Sequence, residues 1–222
     1  MNETVYEADV VIAGGGLAGM VTAFELLDHG QRVLILEKDV AEKFGGLAKE
    51  SFGGIMMVGT PHQRRLGIKD TPDLAYADWE RCAQFRDEAT LPRQWAKLYC
   101  DASLEYIYHF LDEKKIGFLP VVNWPERGHT ETFNTVPRWH ITWGTGYEIA
   151  VKMRAALEAH PQRDKLQVLF EHEVNGFERS NGQVDAVLGR KMQDGSPFRA
   201  KGGAIVIASG GICGGDLSKL RA

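Results

Sequence analysis

Cysteine is scarce in this sequence, and no pair is spaced for a shared task. Cys82, Cys100 and Cys213 are the only three in 222 residues and form no C-x-x-C pair, which argues against a disulfide framework or a zinc cluster and leaves buried free thiols. Long apolar runs are missing too. No stretch approaches the ~20 residues of a membrane-spanning helix, and the opening MNETVYEADV is acidic where a signal peptide is basic. A cytosolic protein without a membrane span is expected. No charge sign dominates either: 26 Lys+Arg stand against 30 Asp+Glu, and no basic stripe interleaves with aromatics, so nucleic acid is not an expected partner. With 44% hydrophobic and 25% charged residues, the chain can bury one sizeable core or two small ones.

Glycine is what the sequence has in quantity. The stretch VVIAGGGLAGM, residues 10–20, runs a buried strand into three glycines and then into a helix expected over about Leu17 to His29, ending at Gly30. Arg32 to Glu37, RVLILE, reads as the next buried strand. This is the opening of a βαβ unit, with the second strand parallel and adjacent to the first. A glycine-rich loop follows, FGGLAKESFGGIMMVGT, instead of a further sheet helix. Beyond it lie helices over roughly Pro72 to Phe85 and Pro92 to Lys115. The second carries Trp95, Leu98, Tyr99, Ala102, Tyr106 and Phe110 at helical spacing, a stripe that reads as core packing. Residues 123–137 read as loop, and a third long helix runs from about Gly146 to His160.

Leu166 to Val174 reads as one strand. Ser180-Asn181-Gly182 marks a hairpin and a small antiparallel meander. Gly203 to Ser209, GAIVIAS, then repeats the opening theme, a buried strand running into Gly210-Gly211. Only GDLSKLRA stands at the end, too short for the helix that such a junction normally feeds. The expected class is α/β, Rossmann-like, with a parallel sheet, a helical insert and a small antiparallel meander.

Gly14, Gly16 and Gly19 fit G-x-G-x-x-G: a tight turn, bare backbone beside a pyrophosphate, and close packing of helix on strand. The helix start, with Leu17 and Ala18, offers unpaired N–H groups and a positive dipole end. Glu37 closes the second strand 23 positions after Gly14, where a carboxylate accepts from an adenosine ribose and repels a 2′-phosphate. A dinucleotide fits better than a purely structural turn with an incidental glutamate. These first forty residues do not separate NAD from FAD. The further glycine junctions, Gly45-Gly46, Gly53-Gly54 and Gly210-Gly211, suit an extended flavin held by backbone from several segments, although any one pair alone reads as a flexible loop.

Taken together, GGGLAG, LILEK, GGLAKESFGGI, SFGGIMMVGTPHQRRLGIKD, VPRWHITWGTG and AIVIASGGI resemble the FAD-binding part of the fumarate reductase and 3-ketosteroid Δ1-dehydrogenase flavoprotein superfamily, and most of all bacterial FAD-binding dehydrogenases. The resemblance spans nearly the whole chain and implies a single FAD-binding domain over residues 1–222. It implies that Gly14, Gly16, Leu17, Ala18 and Gly19 hold the pyrophosphate and that Glu37 with Lys38 lies at the adenosine. Gly45, Gly46, Leu47 and Ala48, then Ser51, Phe52, Gly53 and Gly54, follow the cofactor toward the flavin ring. Val174 offers strand backbone to the adenine, and Ala208, Ser209 and Gly210 close the pyrophosphate side. Membrane-bound relatives carry a flavin-linking histidine where this chain has Leu47, so the FAD is expected to be non-covalent. The substrate-capping domain and the returning segment of such enzymes follow the AIVIASGG strand, so the chain is expected to stop before both. The implied activity is a flavin-dependent dehydrogenase or reductase of CH–CH bonds in a small molecule, such as a ketosteroid or an enoate, with an unidentified electron acceptor or donor. A catalytically silent dinucleotide-binding fragment is the alternative, and an ordinary NAD-linked dehydrogenase a lesser one. No catalytic residue is assigned. Tyr106 and His109 read as core, and His140 and Trp143 as parts of a strand-turn-helix entry.

Overall fold

The computed structural model describes residues 3–124 and 134–211. In chain order the elements are β1 (Thr4–Ala13), α1 (Leu17–Asp28), β2 (Val33–Leu36), β3 (Gly54–Met56), α2 (Pro61–Arg65), α3 (Pro72–Ala83) and α4 (Thr90–Ala102). A π-helical stretch, Ser103–His109, leads into α5 (Phe110–Glu113), β4 (Phe118–Asn123), β5 (Trp139–Thr142) and α6 (Thr145–Glu158). The chain closes with β6 (Leu166–Leu169), β7 (His172–Ser180), β8 (Gln183–Lys191) and β9 (Pro197–Ile207). Two compact units result, Met1–Lys49 with Ala150–Ala222, and Glu50–Ile149.

The first unit holds a six-stranded sheet in the order β6-β2-β1-β9-β8-β7. Four neighbours, β6, β2, β1 and β9, are parallel, while β8 and β7 join antiparallel. Because side chains alternate across a strand, the apolar run of β1 serves two faces. Ile12 turns toward α1, where it lies close to Gly19. Val11, Leu34 and Leu36 face the other way and pack with Val187, Phe198 and Ala200 of the meander, with Val174 against them. Each such buried large side chain contributes about 1.5–3 kcal/mol, so this layer is a principal stabiliser of the unit.

The βαβ opening and the meander agree with the sequence reading, and the hairpin has Asn181 at φ 50° and Gly182 at φ 80°, both left-handed as a two-residue type I′ turn requires. The single strand expected over Leu166–Val174 is two. The chain breaks at Phe170-Glu171, where Glu171 takes φ 56° and donates its N–H to the Asp39 carbonyl at 3.1 Å. The last strand is longer than expected: it pairs with β1 in parallel from Phe198 to Ile207, and its first half, Pro197 to Lys201, also pairs antiparallel with β8.

In the second unit, β3, β5 and β4 form a three-stranded antiparallel sheet, with β5 central. The helix expected over Pro92–Lys115 starts at Thr90 and changes to π geometry at Ser103. Only part of its stripe packs inward: Tyr99 is half-buried, donates to the Met56 carbonyl at 2.7 Å and lies edge-on to Trp79, and Ala102 and Phe110 are half-buried too. Trp95 is 69% exposed, Leu98 53% and Tyr106 76%; the buried side is Ala96, Cys100 and Ser103, small residues that let α3 and α4 approach closely around Ala75 and Val58. The wider π turn then rephases the helix, burying Tyr108 and Leu111. Cys100 is buried as expected and Cys82 is exposed. Cys213, the GDLSKLRA tail and most of the loop expected over residues 123–137 lie outside the described residues.

A polar network fills this unit's interior. Arg138 is fully buried and pairs through Nε and Nη2 with Asp70 at 2.9 and 2.8 Å, and through Nη1 with Asp78 at 2.7 Å. Arg81 makes a second ion pair to Asp78. Gln63 donates to Asp70 and to the Pro137 carbonyl, both at 2.9 Å, and closes a capping box with Thr60 at the start of α2. His140 completes the network: one ring nitrogen lies 2.8 Å from the Arg138 carbonyl and the other 2.8 Å from Thr60 Oγ1. The carbonyl must accept, so Nδ1 bears the hydrogen and Nε2 accepts from Thr60.

Candidate dinucleotide site

The site in the first unit is built where β1, β2 and β9 end beside the start of α1. Gly14 has φ 112°, and a Cβ there would overlap the Ala208 carbonyl, whose carbon lies 2.7 Å away. Gly19 is equally constrained, since a Cβ would overlap the Gly14 carbonyl oxygen. Both glycines serve the fold. Gly16 differs: a Cβ built on it meets nothing within 4 Å, and its backbone, φ −72° and ψ −177°, suits any residue. It is the N-cap of α1 and has no side chain to cap it, so the first N–H groups of the helix, at Leu17, Ala18 and Gly19, have no intrahelical acceptor. A bare α-carbon beside unpaired N–H groups at a positive dipole end is a cradle that a pyrophosphate fits.

Glu37 is buried, and its Oε2 accepts from the Gly15 N–H at 2.8 Å while Oε1 accepts from the Asp39 N–H at 2.9 Å. Each oxygen keeps lone-pair capacity for a hydroxyl. The glutamate therefore braces the loop as well as facing the ribose position. Gly45 and Gly46 also belong to this cluster: Gly45 N–H donates to the Gly15 carbonyl at 3.1 Å, Gly16 and Gly45 form a parallel bridge, and a Cβ on Gly46 would stand 3.1 Å from the Gly16 α-carbon. Ala208 N–H donates to the Ala13 carbonyl at 2.8 Å, which brings Ala208, and after it Ser209 and Gly210, to the Gly14 turn. Val174 pairs with Gly189 on β8. Lys38 and Leu47 are exposed, and Ala48 is half-buried.

Ser51, Phe52, Gly53 and Gly54 belong to the second unit and are tied to β5 and the turn after it. Gly146 N–H donates to the Ser51 carbonyl at 2.9 Å, and Thr142 donates to the Gly53 carbonyl through both N–H and hydroxyl, at 3.0 and 3.1 Å. A Cβ on Gly53, at φ 74°, would stand 2.6 Å from the Thr145 carbonyl carbon. Gly54 pairs with Ile141, under the exposed Phe52 ring and Trp139. Burial pushes the His140 imidazole down to about 4, the Arg138 carbonyl partly opposing it; it is a neutral structural group at pH 7. Tyr106 and Trp143 are exposed, and His109 sits half-buried edge-on to Tyr108. Among the described residues none of the four is placed against a charged partner in a way that marks an acid or base.

The sequence reading did not include two residues that this cluster uses, Gly15 and Phe44. Phe44 is buried against Gly15 and edge-on to Phe170 at 5.3 Å. The signal was the middle glycine of the triplet, at a position the fingerprint leaves free. Among the described residues no group of three or more His, Cys, Asp or Glu side chains converges to hold a metal, and no helix is long and apolar enough to cross a membrane.

The chain is 38% identical over 236 residues to the KsdD-like steroid dehydrogenase of Mycolicibacterium smegmatis, a match covering 97% of this chain and 42% of that protein. It is 26% identical to the fumarate reductase (cytochrome) of Shewanella frigidimarina, over 92% of this chain and 33% of the relative. Among solved structures, the 3-ketosteroid-Δ4-(5α)-dehydrogenase of Rhodococcus jostii superposes with a TM-score of 0.75 at 21% identity, over 93% of this chain and 46% of the other. The chain thus spans less than half the length of these relatives. The model of the FAD-binding domain family matches residues 9–221, and the chain belongs to that family.

Proposed function

We propose that this chain is the FAD-binding portion of a flavoprotein oxidoreductase that acts on a CH–CH bond of a small molecule, a ketosteroid or an enoate-like acid. The observation that carries the reading is Gly16, where a Cβ would point into open space at an uncapped helix start. Gly14, Gly16, Leu17, Ala18, Gly19 and Ala208 to Gly210 hold the pyrophosphate; Glu37 and Lys38 hold the adenosine ribose, and Val174 flanks the adenine. Gly45 to Ala48 line the path toward the flavin ring, and Ser51 to Gly54 are read as cofactor-contacting from the sequence resemblance alone. Bound FAD supplies a two-electron acceptor or donor; the chain binds it, orients it and excludes a 2′-phosphate through Glu37. Leu47 is exposed and offers no nucleophile, which supports a non-covalent cofactor.

The steroid and fumarate relatives support the substrate class, and a solved relative bound to UQ1 supports a quinone-like electron acceptor as one candidate. Coverage of 42% of the KsdD-like relative supports a portion of a longer enzyme. The test is single-turnover bleaching of the bound flavin. The FAD-loaded enzyme of which this chain is a portion is mixed with 3-ketosteroids or saturated acids, and the reduced form with fumarate. Bleaching or reoxidation by one of these pairs is expected, and reduction by NADH or NADPH alone would contradict CH–CH chemistry.

A further inference from the structure

The dinucleotide fingerprint leaves its second position free, yet this chain has glycine there too. The structure gives the reason. A Cβ on Gly15 would press into the Phe44 ring, with Cδ2 2.8 Å away, and would stand 3.0 Å from Glu37 Oε2. The Gly15 peptide is held on every side: N–H by Glu37 at 2.8 Å, carbonyl by the Gly45 N–H at 3.1 Å, α-carbon by the Phe44 ring. Phe44 is itself buried and edge-on to Phe170 at 5.3 Å and 87°, on the segment that joins β6 to β7. Phe44 and the Gly15 peptide are engaged with one another, while Glu37 keeps lone-pair capacity for a ligand hydroxyl. What they control is the peptide that immediately precedes the bare Gly16 α-carbon.

We infer that Phe44 is a positioning residue for FAD: its ring, seated on Gly15, fixes the loop so that Gly16 and the first N–H groups of α1 stay aimed at the pyrophosphate. An aromatic ring suits the task because it is flat enough to lie on a glycine and stiff enough to hold it, whereas a flexible aliphatic chain would leave the Gly15 peptide free to turn. Gly15 and Phe44 are then one device. Of the two obstacles to a methyl on Gly15, the Phe44 ring is the closer and the Glu37 oxygen at 3.0 Å the lesser, so most of the harm needs the ring.

The test is a double-mutant cycle in the 222-residue chain, Gly15→Ala, Phe44→Ala and both, read by the FAD dissociation constant from equilibrium titration and by the ³¹P shifts of the bound pyrophosphate. Gly15→Ala is expected to weaken FAD by about tenfold or more with Phe44 present and by far less with Ala at position 44, a coupling of the size found between contacting residues. Phe44→Leu keeps an apolar side chain and needs no second change; it too should weaken FAD about tenfold and move the ³¹P shifts. Val187→Ala, a core truncation in the meander layer, is the control: it lowers the melting temperature at least as much and leaves the FAD constant unchanged. Equal penalties for Gly15→Ala in both backgrounds would overturn the inference, as would wild-type binding by Phe44→Leu. The same loss of FAD affinity in Val187→Ala would overturn it as well, by showing that affinity follows stability alone.

Discussion

Gly16→Val separates a glycine kept for a ligand from glycines kept for the fold. The position has a φ of −72° that valine adopts freely, and a Cβ there meets no protein atom within 4 Å. The cost to the apo-protein is therefore only that of a poor N-cap, under about 1 kcal/mol, which moves the melting temperature of a chain of this size by about 2–4 °C or less. The isopropyl group does, however, fill the space where a pyrophosphate approaches the backbone and screens the first N–H groups of α1. A loss of at least about a hundredfold in FAD affinity, roughly 2.7 kcal/mol, is expected. Gly14→Ala behaves oppositely. At φ 112°, with the Ala208 carbonyl carbon 2.7 Å from the new methyl, it strains the backbone and forces β9 away from β1, costing about 1–3 kcal/mol or more before any ligand is added. The assay pairs thermal unfolding of the apo-chain with a fluorescence titration of FAD. A Gly16→Val protein with normal melting and normal FAD affinity refutes the reasoning, and so does a Gly14→Ala protein that is as stable as wild type.

His140 and the ion pairs around Arg138 set the pH response and the stability of the second unit. His140, pushed down to about 4 by burial, stays neutral in the folded chain while the unfolded chain takes up a proton below about 6.5; its contribution is complete above that pH and is lost by pH 4, about 3 kcal/mol in all. Urea titrations across this window should show the fall, and His140→Gln should flatten it. Burial alone would raise the Asp78 carboxyl, but the Thr135 N–H, the Arg138 guanidinium and the Thr135 hydroxyl outweigh it and hold the carboxyl below the usual range, so its share of stability is lost only at more acid pH. Arg138→Met strands Asp70 and Asp78 partly unpaired in the interior and should cost about 3–5 kcal/mol, measured by denaturant unfolding; a smaller loss on combining it with Asp70→Asn would locate the penalty in the buried carboxylate. Acid precipitation of the FAD-loaded chain should release all the yellow colour, and fluorescence retained by the denatured protein band would show a covalent link.

The first unit was legible because its chemistry is local. Strand, glycine turn, helix and second strand follow one another within residues 9–37, and the demand on Gly14, Gly16 and Gly19 comes from neighbours a few positions away. The Asn181-Gly182 turn was legible for the same reason. Phe44 was not, since its partner is Gly15, and only the folded loop brings the two together. The α4 stripe misled because periodicity reports an apolar face without saying which face is buried: Ala96, Cys100 and Ser103 pack inward because they are small enough for α3 to approach. The break at Glu171 follows from a bond to Asp39, 132 positions earlier in the chain, and Arg138 became informative only once Asp70 and Asp78 stood beside it.

The most direct measurement is calorimetric titration of the purified 222-residue chain with FAD, FMN, NADP and ADP under one set of conditions. FAD should bind one to one and leave the protein yellow. ADP, which carries the pyrophosphate and the adenosine ribose, should bind more weakly at the same site and be displaced by FAD, while FMN and NADP should give no heat of binding. FMN binding as tight as FAD, or ADP failing to compete with FAD, would contradict a cofactor held by the Gly16 cradle and Glu37.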